Sequence, residues 1–394
     1  MMEAGGLVNA FGNGMTFPFL VIYLHNVRGF SLATAGLVLA AGNAIGVVAG
    51  PVAGPIVDRV GGRVTLAVAL VLMAGGYASY PLVREGWHAF AAALVAGVGN
   101  GFFWPSQSTL LAGLAPQARR HAAFAVQRIT RNLGIGLGGL AGGFIATTSD
   151  ATSFTVLFLV DGATFFGFVA ALVFVREPAV EFREEAPGPG GYLAVLRHRV
   201  FVGFVALNVL FVASGYAVFE LLPVFAKNEA GVSERAIGVI FLVNTLVIVL
   251  AQLPVSKLLE GRRRMAALGV MNALWALAWL LVLASGAYLE AIAAAVLFAV
   301  AGAVFALGEC LQGPTQGALV ADLSPARLRG RYMAVSTTSW QVGFVIGPAL
   351  GGLVLEAEPL ALWPLAAAAC LGAAAGAVAL ERAIPRELRL TPAA

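Results

Sequence analysis

The chain has 394 residues, of which 60% are hydrophobic and only 11% charged, against about 25% charged in ordinary globular proteins. At a mean hydropathy of +0.89 it has too few polar side chains to coat a soluble surface, so an integral membrane protein is expected. The net charge of +4 needs no nucleic acid to explain it. A helix crossing the roughly 30 Å hydrocarbon layer needs about 20 apolar residues. By that ruler the chain divides into twelve spans, at about 7–24, 33–57, 64–83, 89–114, 122–147, 153–175, 200–226, 236–257, 265–286, 290–321, 332–356 and 359–380. These runs are apolar on all sides and lack the period-two alternation of a membrane barrel, so the expected fold is all-α.

The first span is short. Pairing "GFS" at 29–31 with "GVS" at 231–233 sets it against the seventh span, whose start near Val200 would put its partner's start just before residue 1. Either the start lies upstream or the first helix lacks its inner turn; no basic region precedes the apolar one as in a signal peptide. With both termini on the cytoplasmic side, 18 of the 24 basic residues fall there, 4 fall in the outer loops, and Arg128 and Arg131 lie inside the fifth span. That bias sets the orientation by the positive-inside rule, in a bacterial inner or plasma membrane.

The chain also repeats itself. "LAPQARRHAAFAV" at 114–126 aligns without gaps with "LSPARLRGRYMAV" at 323–335, an offset of 209, which carries Gly134, Gly138 and Gly142 onto Gly343, Gly347 and Gly351. The expected domains are a six-helix bundle at 1–175, a cytoplasmic linker at 176–199, a second bundle at 200–381 and a tail at 382–394. Two parallel six-span repeats are an architecture of secondary transporters, with the substrate site near the midplane between them.

Inside the spans, "AVQRITRNLGIGLGGLAGG" at 125–143 contains G-x-G-x-x-G in Gly134, Gly136 and Gly139. A dinucleotide turn needs a strand before it, and here the glycines sit in a helix-length apolar run. Their useful spacing is Gly134, Gly138 and Gly142, one helix face on which backbones can approach closely. Arg128 and Arg131 share another face, beside Gln127. An arginine at the bilayer centre costs roughly 2.5–3.5 kcal/mol on insertion scales, so each needs a wet cavity or a carboxylate. The candidate counter-charges are Asp161, Glu220 and Glu309, in the sixth, seventh and tenth spans. Glu309 is the proton-carrier candidate, and the offset pairs it with Asn100. Trp104, Phe102, Phe103 and Trp340 are candidate aromatic walls. One reading pairs an arginine permanently with Asp161; the other faces both arginines to the cavity, to bind an anionic group or hold Glu309. Cys310 and Cys370 lie in apolar runs and suggest neither a disulfide nor a metal. There is no phosphate loop, nucleophile–base pair or metal-ligand set, so neither an enzyme nor a cofactor is expected.

"GPIVDRVGGR", Gly54 to Arg63, resembles the loop between the second and third helices of the major facilitator superfamily, G-x-x-x-D-R-x-G-R-R. Gly54, Asp58, Arg59, Gly61 and Arg63 match, and Gly62 replaces the first basic residue of the final pair. The resemblance implies the major facilitator fold of two pseudo-symmetric six-helix bundles, and a cytoplasmic gate in which Asp58 and its arginines latch the halves. It also implies that the first, second, fourth, fifth, seventh, eighth, tenth and eleventh helices line the cavity. Fifth helices of the family's antiporters carry G-x-x-x-G-P-x-x-G-G. Gly134, Gly138, Gly142 and Gly143 match, Gly139 stands in the proline's place, and the complete form with Pro348 occurs in the eleventh span. The function implied is proton-coupled efflux of small amphipathic compounds by a monomer in the lipid bilayer, its partners a small-molecule substrate and protons. The alternatives are import of a sugar, peptide or organic anion, and lipid handling by a flippase-like protein.

Overall fold

The computed structural model describes residues 1–115, 120–177, 191–325 and 328–391. Arg119, Arg183 and Arg327, counted above among the basic residues, lie outside these, as do most of the 176–199 linker and the end of the tail. Twelve long helices run through the described residues, numbered here α1 (Met2–Val27), α2 (Leu32–Val60), α3 (Gly62–Leu82), α4 (Gly86–Leu114), α5 (Arg120–Ile145), α6 (Ala151–Val173), α7 (Arg199–Phe219), α8 (Glu234–Leu258), α9 (Arg264–Tyr288), α10 (Ala291–Leu323), α11 (Arg329–Ala357) and α12 (Leu362–Glu381). Eleven are long and apolar enough to span a membrane. The twelfth, α5, falls short because Arg128, Arg131 and six glycines lower the hydropathy of its apolar stretch.

Two spans differ from expectation. The first helix begins at Met2, five residues before the apolar run. The seventh is broken: α7 ends at Phe219, a turn holds Glu220 and Leu221, and a separate helix, Leu222–Ala230, resumes with Pro223 in its first turn, where a missing N–H costs nothing.

The repeat is visible in local chemistry. Ser31 caps α2 by accepting from Thr34 N at 3.0 Å, and Ser233 caps α8 by accepting from Ala236 N at 3.3 Å. Two residues before each cap the chain needs a left-handed turn, supplied by Gly29 (φ +75°) and Gly231 (φ +61°).

Glycines then set the packing, and α5 uses two faces. Gly134, Gly138 and Gly142 press on α1, where a methyl at Gly142 would lie 2.7 Å from Met15 O and one at Gly138 would collide with Phe11 O. Gly136, Gly139 and Gly143 press instead on α8 of the other half: a methyl at Gly143 would lie 2.6 Å from Glu234 O. The repeat reproduces both faces. Gly343 and Gly347 meet α7 and Gly351 meets Leu221 in the turn beyond it, while Gly352 and Pro348 meet Leu32 and Gly36 of α2. Without a hydrophobic driving force between helices in lipid, such backbone approach is what holds them together.

The α5–α8 and α2–α11 contacts between halves lie toward one end, away from the basic loops of Arg59, Arg63 and Arg262 to Arg264. Four hydrogen bonds reinforce them: Asn26 Nδ2 to Asn228 Oδ1 at 2.7 Å, Leu32 N to Glu356 at 2.6 Å, Thr148 N to Glu234 at 3.0 Å and Asn43 Nδ2 to Phe344 O at 3.3 Å. Toward the basic end, Gly54 faces open space and the α5 side chains from Phe124 to Leu133 are mostly exposed. The halves are therefore closed at the far end and parted at the basic end. Each carboxylate–amide latch is a charge-assisted bond worth about 1.5–3 kcal/mol, less here because Glu356 is exposed. Glu356→Gln combined with Glu234→Gln is expected to broaden the distance between spin labels at the exposed Arg84 and Glu229 toward longer values. An unchanged distribution would show that the latches do not hold this end shut.

Candidate functional site

Between the parted halves, α5 presents Arg128 and Arg131 to solvent. Arg131 lies over the Trp104 ring of α4, 4.8 Å from its centroid, a cation–π contact of about 0.5–1 kcal/mol where water can reach it. Arg128 crosses to the other half, its guanidinium filling the space where Gly313 of α10 has no side chain. One turn earlier on α10 stands Glu309, half-buried, accepting from Asn244 Nδ2 of α8 at 3.2 Å. Both arginines and the Tyr216 hydroxyl act on Glu309, yet neither arginine is ion-paired to it among the described residues. Tyr216 donates to Gln312 Oε1 at 2.6 Å and packs against Trp340, ring centroids 5.1 Å apart. The Nε2 of Gln312 is buried without a partner among the described residues. The arrangement brings together two guanidinium groups, one carboxylate, one unpartnered amide donor and three aromatic faces.

The other expected site residues are placed differently. Asp161 does not meet the arginines. It is fully buried on α6, where Thr16 of α1 lies 2.8 Å from its Oδ2; α6 packs on α1 and α3, on the far side of α1 from the arginine face. A permanent Asp161–arginine pair is thus excluded. Glu220 sits in the turn after α7, buried, with Oε2 unpartnered, and is not among the groups acting on Arg131, which are Arg128, Glu309 and Tyr216. Asn100 and Gln127 are half-buried and make no side-chain hydrogen bond among the described residues. Phe103 is buried and packs edge-on against Trp104. Asn244, Tyr216 and Gln312 were not singled out in the sequence; polar side chains in apolar spans were the available signal.

The 54–63 motif, expected as a loop, is helical except at Gly61, forming the last turns of α2 and the start of α3, and it is unlatched. Asp58 and Arg59 are exposed and make no hydrogen bond or ion pair among the described residues. The α3 N-terminus instead holds Glu177, whose carboxylate accepts from Gly62 N at 2.6 Å and Arg63 N at 3.0 Å; the positive end of a helix favours such an anion. Arg63 also donates to Val175 O at 3.0 Å. Gly61 (φ +95°) makes the turn.

Two packed six-helix halves around a polar cleft are an architecture of secondary transporters. The family model of the Major Facilitator Superfamily matches residues 3–285 and 221–393, and the chain belongs to that superfamily. It is similar to the multidrug resistance protein MdtH of Klebsiella pneumoniae, 24% identical over 349 residues that cover 87% of this chain and 83% of that one. It is also similar to a Na(+), Li(+), K(+)/H(+) antiporter of Planococcus maritimus, 22% identical over 364 residues covering 85% and 84%. Among solved structures, a POT family transporter in complex with a thioalcohol-conjugated peptide superposes at TM-score 0.81 with 15% identity, covering 98% of this chain and 96% of that one. That likeness shows the fold.

Proposed function

We propose that this transporter exports small amphipathic compounds in exchange for protons, with Glu309 as the coupling carboxylate. The observation that carries the reading is the position of Glu309. It is anchored to α8 by Asn244 and faces Arg128 and Arg131 of the opposite half without being locked to either. A carboxylate so placed changes the attraction between halves when it gains or loses a proton. With the basic loops cytoplasmic by the positive-inside rule, the conformation described is open to the cytoplasm, with its outer end closed. The curated relatives named for multidrug resistance and for cation/proton antiport support export.

The arginine pair favours a second reading. Two guanidinium groups against one carboxylate leave an excess positive charge, which attracts an anionic group. The two readings differ in sign. A substrate competing with the proton for Glu309 gives antiport. An anion on the arginines is helped when Glu309 is neutralised, because its competitor for them disappears, and that gives cotransport with the proton.

The test is uptake into everted vesicles of a cationic dye panel and, separately, of labelled organic anions, with and without a proton uncoupler. Export by antiport predicts uncoupler-sensitive dye accumulation that Glu309→Gln abolishes while energy-independent exchange survives. Dye that never accumulates, with anion efflux from the vesicles driven by the proton gradient, would replace antiport by cotransport.

A further inference from the structure

The Thr16–Asp161 contact joins a fully buried acid to a single hydroxyl. The Thr16 hydroxyl lies 3.2 Å from Asn13 O and 2.8 Å from Asp161 Oδ2, in donor geometry to both. Asn13 O already accepts from Phe17 N, so the one proton of this hydroxyl can go to either oxygen. The Thr164 hydroxyl also lies beside the carboxyl group, with the Asp161 backbone carbonyl as its acceptor at 2.7 Å. Oδ1 has no partner at all, and the whole side chain is sealed from solvent.

We propose that Asp161 is a second proton-binding site, separate from the central cleft and occupied in this conformation. With a proton on Oδ2, Asp161 donates to Thr16 Oγ1, Thr16 donates to Asn13 O, and both contacts are satisfied in one direction. Oδ1 is then the carbonyl oxygen of a neutral acid, for which lacking a partner in an apolar interior is far less costly than for a carboxylate. The groups facing Asp161 agree. From α1 come Gly12, Asn13 and Thr16; from α6 itself Thr164; from α3 Tyr77, stacked on Phe165 at 5.8 Å. No lysine or arginine acts on Asp161. Loss of the proton would force Thr16 to turn from Asn13 O to the carboxylate, and the change would be felt by α1, the helix on which the α5 glycines pack. The site does not depend on the role given to Glu309.

The test reads the proton itself. Asp161 is the buried member of four aspartates; Asp58, Asp150 and Asp322 are exposed. Infrared spectra of the full-length protein labelled with [13C]carboxyl-aspartate, at neutral pH, are expected to show one neutral-acid carbonyl band shifted by the isotope. That band should be lost in Asp161→Asn, kept in Glu309→Gln, and moved to higher frequency in Thr16→Val, where its hydrogen-bond acceptor is gone. Asp161→Asn should fold normally, since its amide N–H can donate to Thr16 as the acid does. A labelled wild-type protein with no neutral aspartic acid band would overturn the proposal, whether or not any variant folds.

Discussion

Replacing Arg128 with alanine should cut transport by about one to two powers of ten while leaving the protein folded. The side chain is exposed in the cleft and bears on α10 through Gly313 and Glu309, so its loss leaves no cavity behind. What is lost is a hydrogen-bonding cation. Bonds to charged groups are worth about 1.5–3 kcal/mol, and each 1.4 kcal/mol is about tenfold. Arg128→Lys keeps the charge but not the planar fork, and should recover only part of the rate. Gly313→Val tests the same contact from the other side. The flexible guanidinium would be displaced with both charges intact, so transport should fall without loss of thermal stability. Wild-type transport in Arg128→Ala would show that the reach across the cleft has no functional weight.

The second large effect is on the fold. Gly138→Leu should prevent stable accumulation, because even its first carbon would collide with the Phe11 carbonyl on the backbone of α1. Overpacking costs typically 1–3 kcal/mol when side chains can yield, and a helix backbone yields less. Gly138→Ala should therefore lower the melting temperature measurably, and Gly134→Ala less, since its nearest obstacle is the Ala10 methyl at 2.6 Å. Gly75, in α3 with nothing within 4 Å, is the control. Alanine there should stabilise by about 0.5–1 kcal/mol through helix propensity alone. Equal melting temperatures for Gly138→Ala and Gly75→Ala would refute the tight α1–α5 seam.

How much of this could be read beforehand follows the physics of each signal. Long apolar runs and a gapless internal alignment are local properties, and both halves of the fold were legible from them. The Gly134, Gly138 and Gly142 stripe was legible because its spacing is helical. Its neighbour, the Gly136, Gly139 and Gly143 face on α8, was not: every helix face is open to a partner until tertiary structure chooses one. The arginines were conspicuous as charges among apolar residues. Which carboxylate they would meet depended on the rotation and neighbours of α5, α6 and α10, which no single-chain pattern encodes; Glu309 came to them and Asp161 stayed with Thr16. The break at Glu220 was masked by continuous hydropathy, although Pro223 marked the place.

The glycine seam between α5 and α8 also has a mechanical meaning. It lies near one end of α5, and Arg128 is fifteen residues from Gly143, a lever arm of roughly 22 Å at 1.5 Å per residue. Each degree of tilt about that fulcrum carries the guanidinium by roughly 0.4 Å on the same rise. Ten degrees would take it out of reach of α10, so a motion almost imperceptible at the closed end is amplified into making or breaking the charge contact in the cleft.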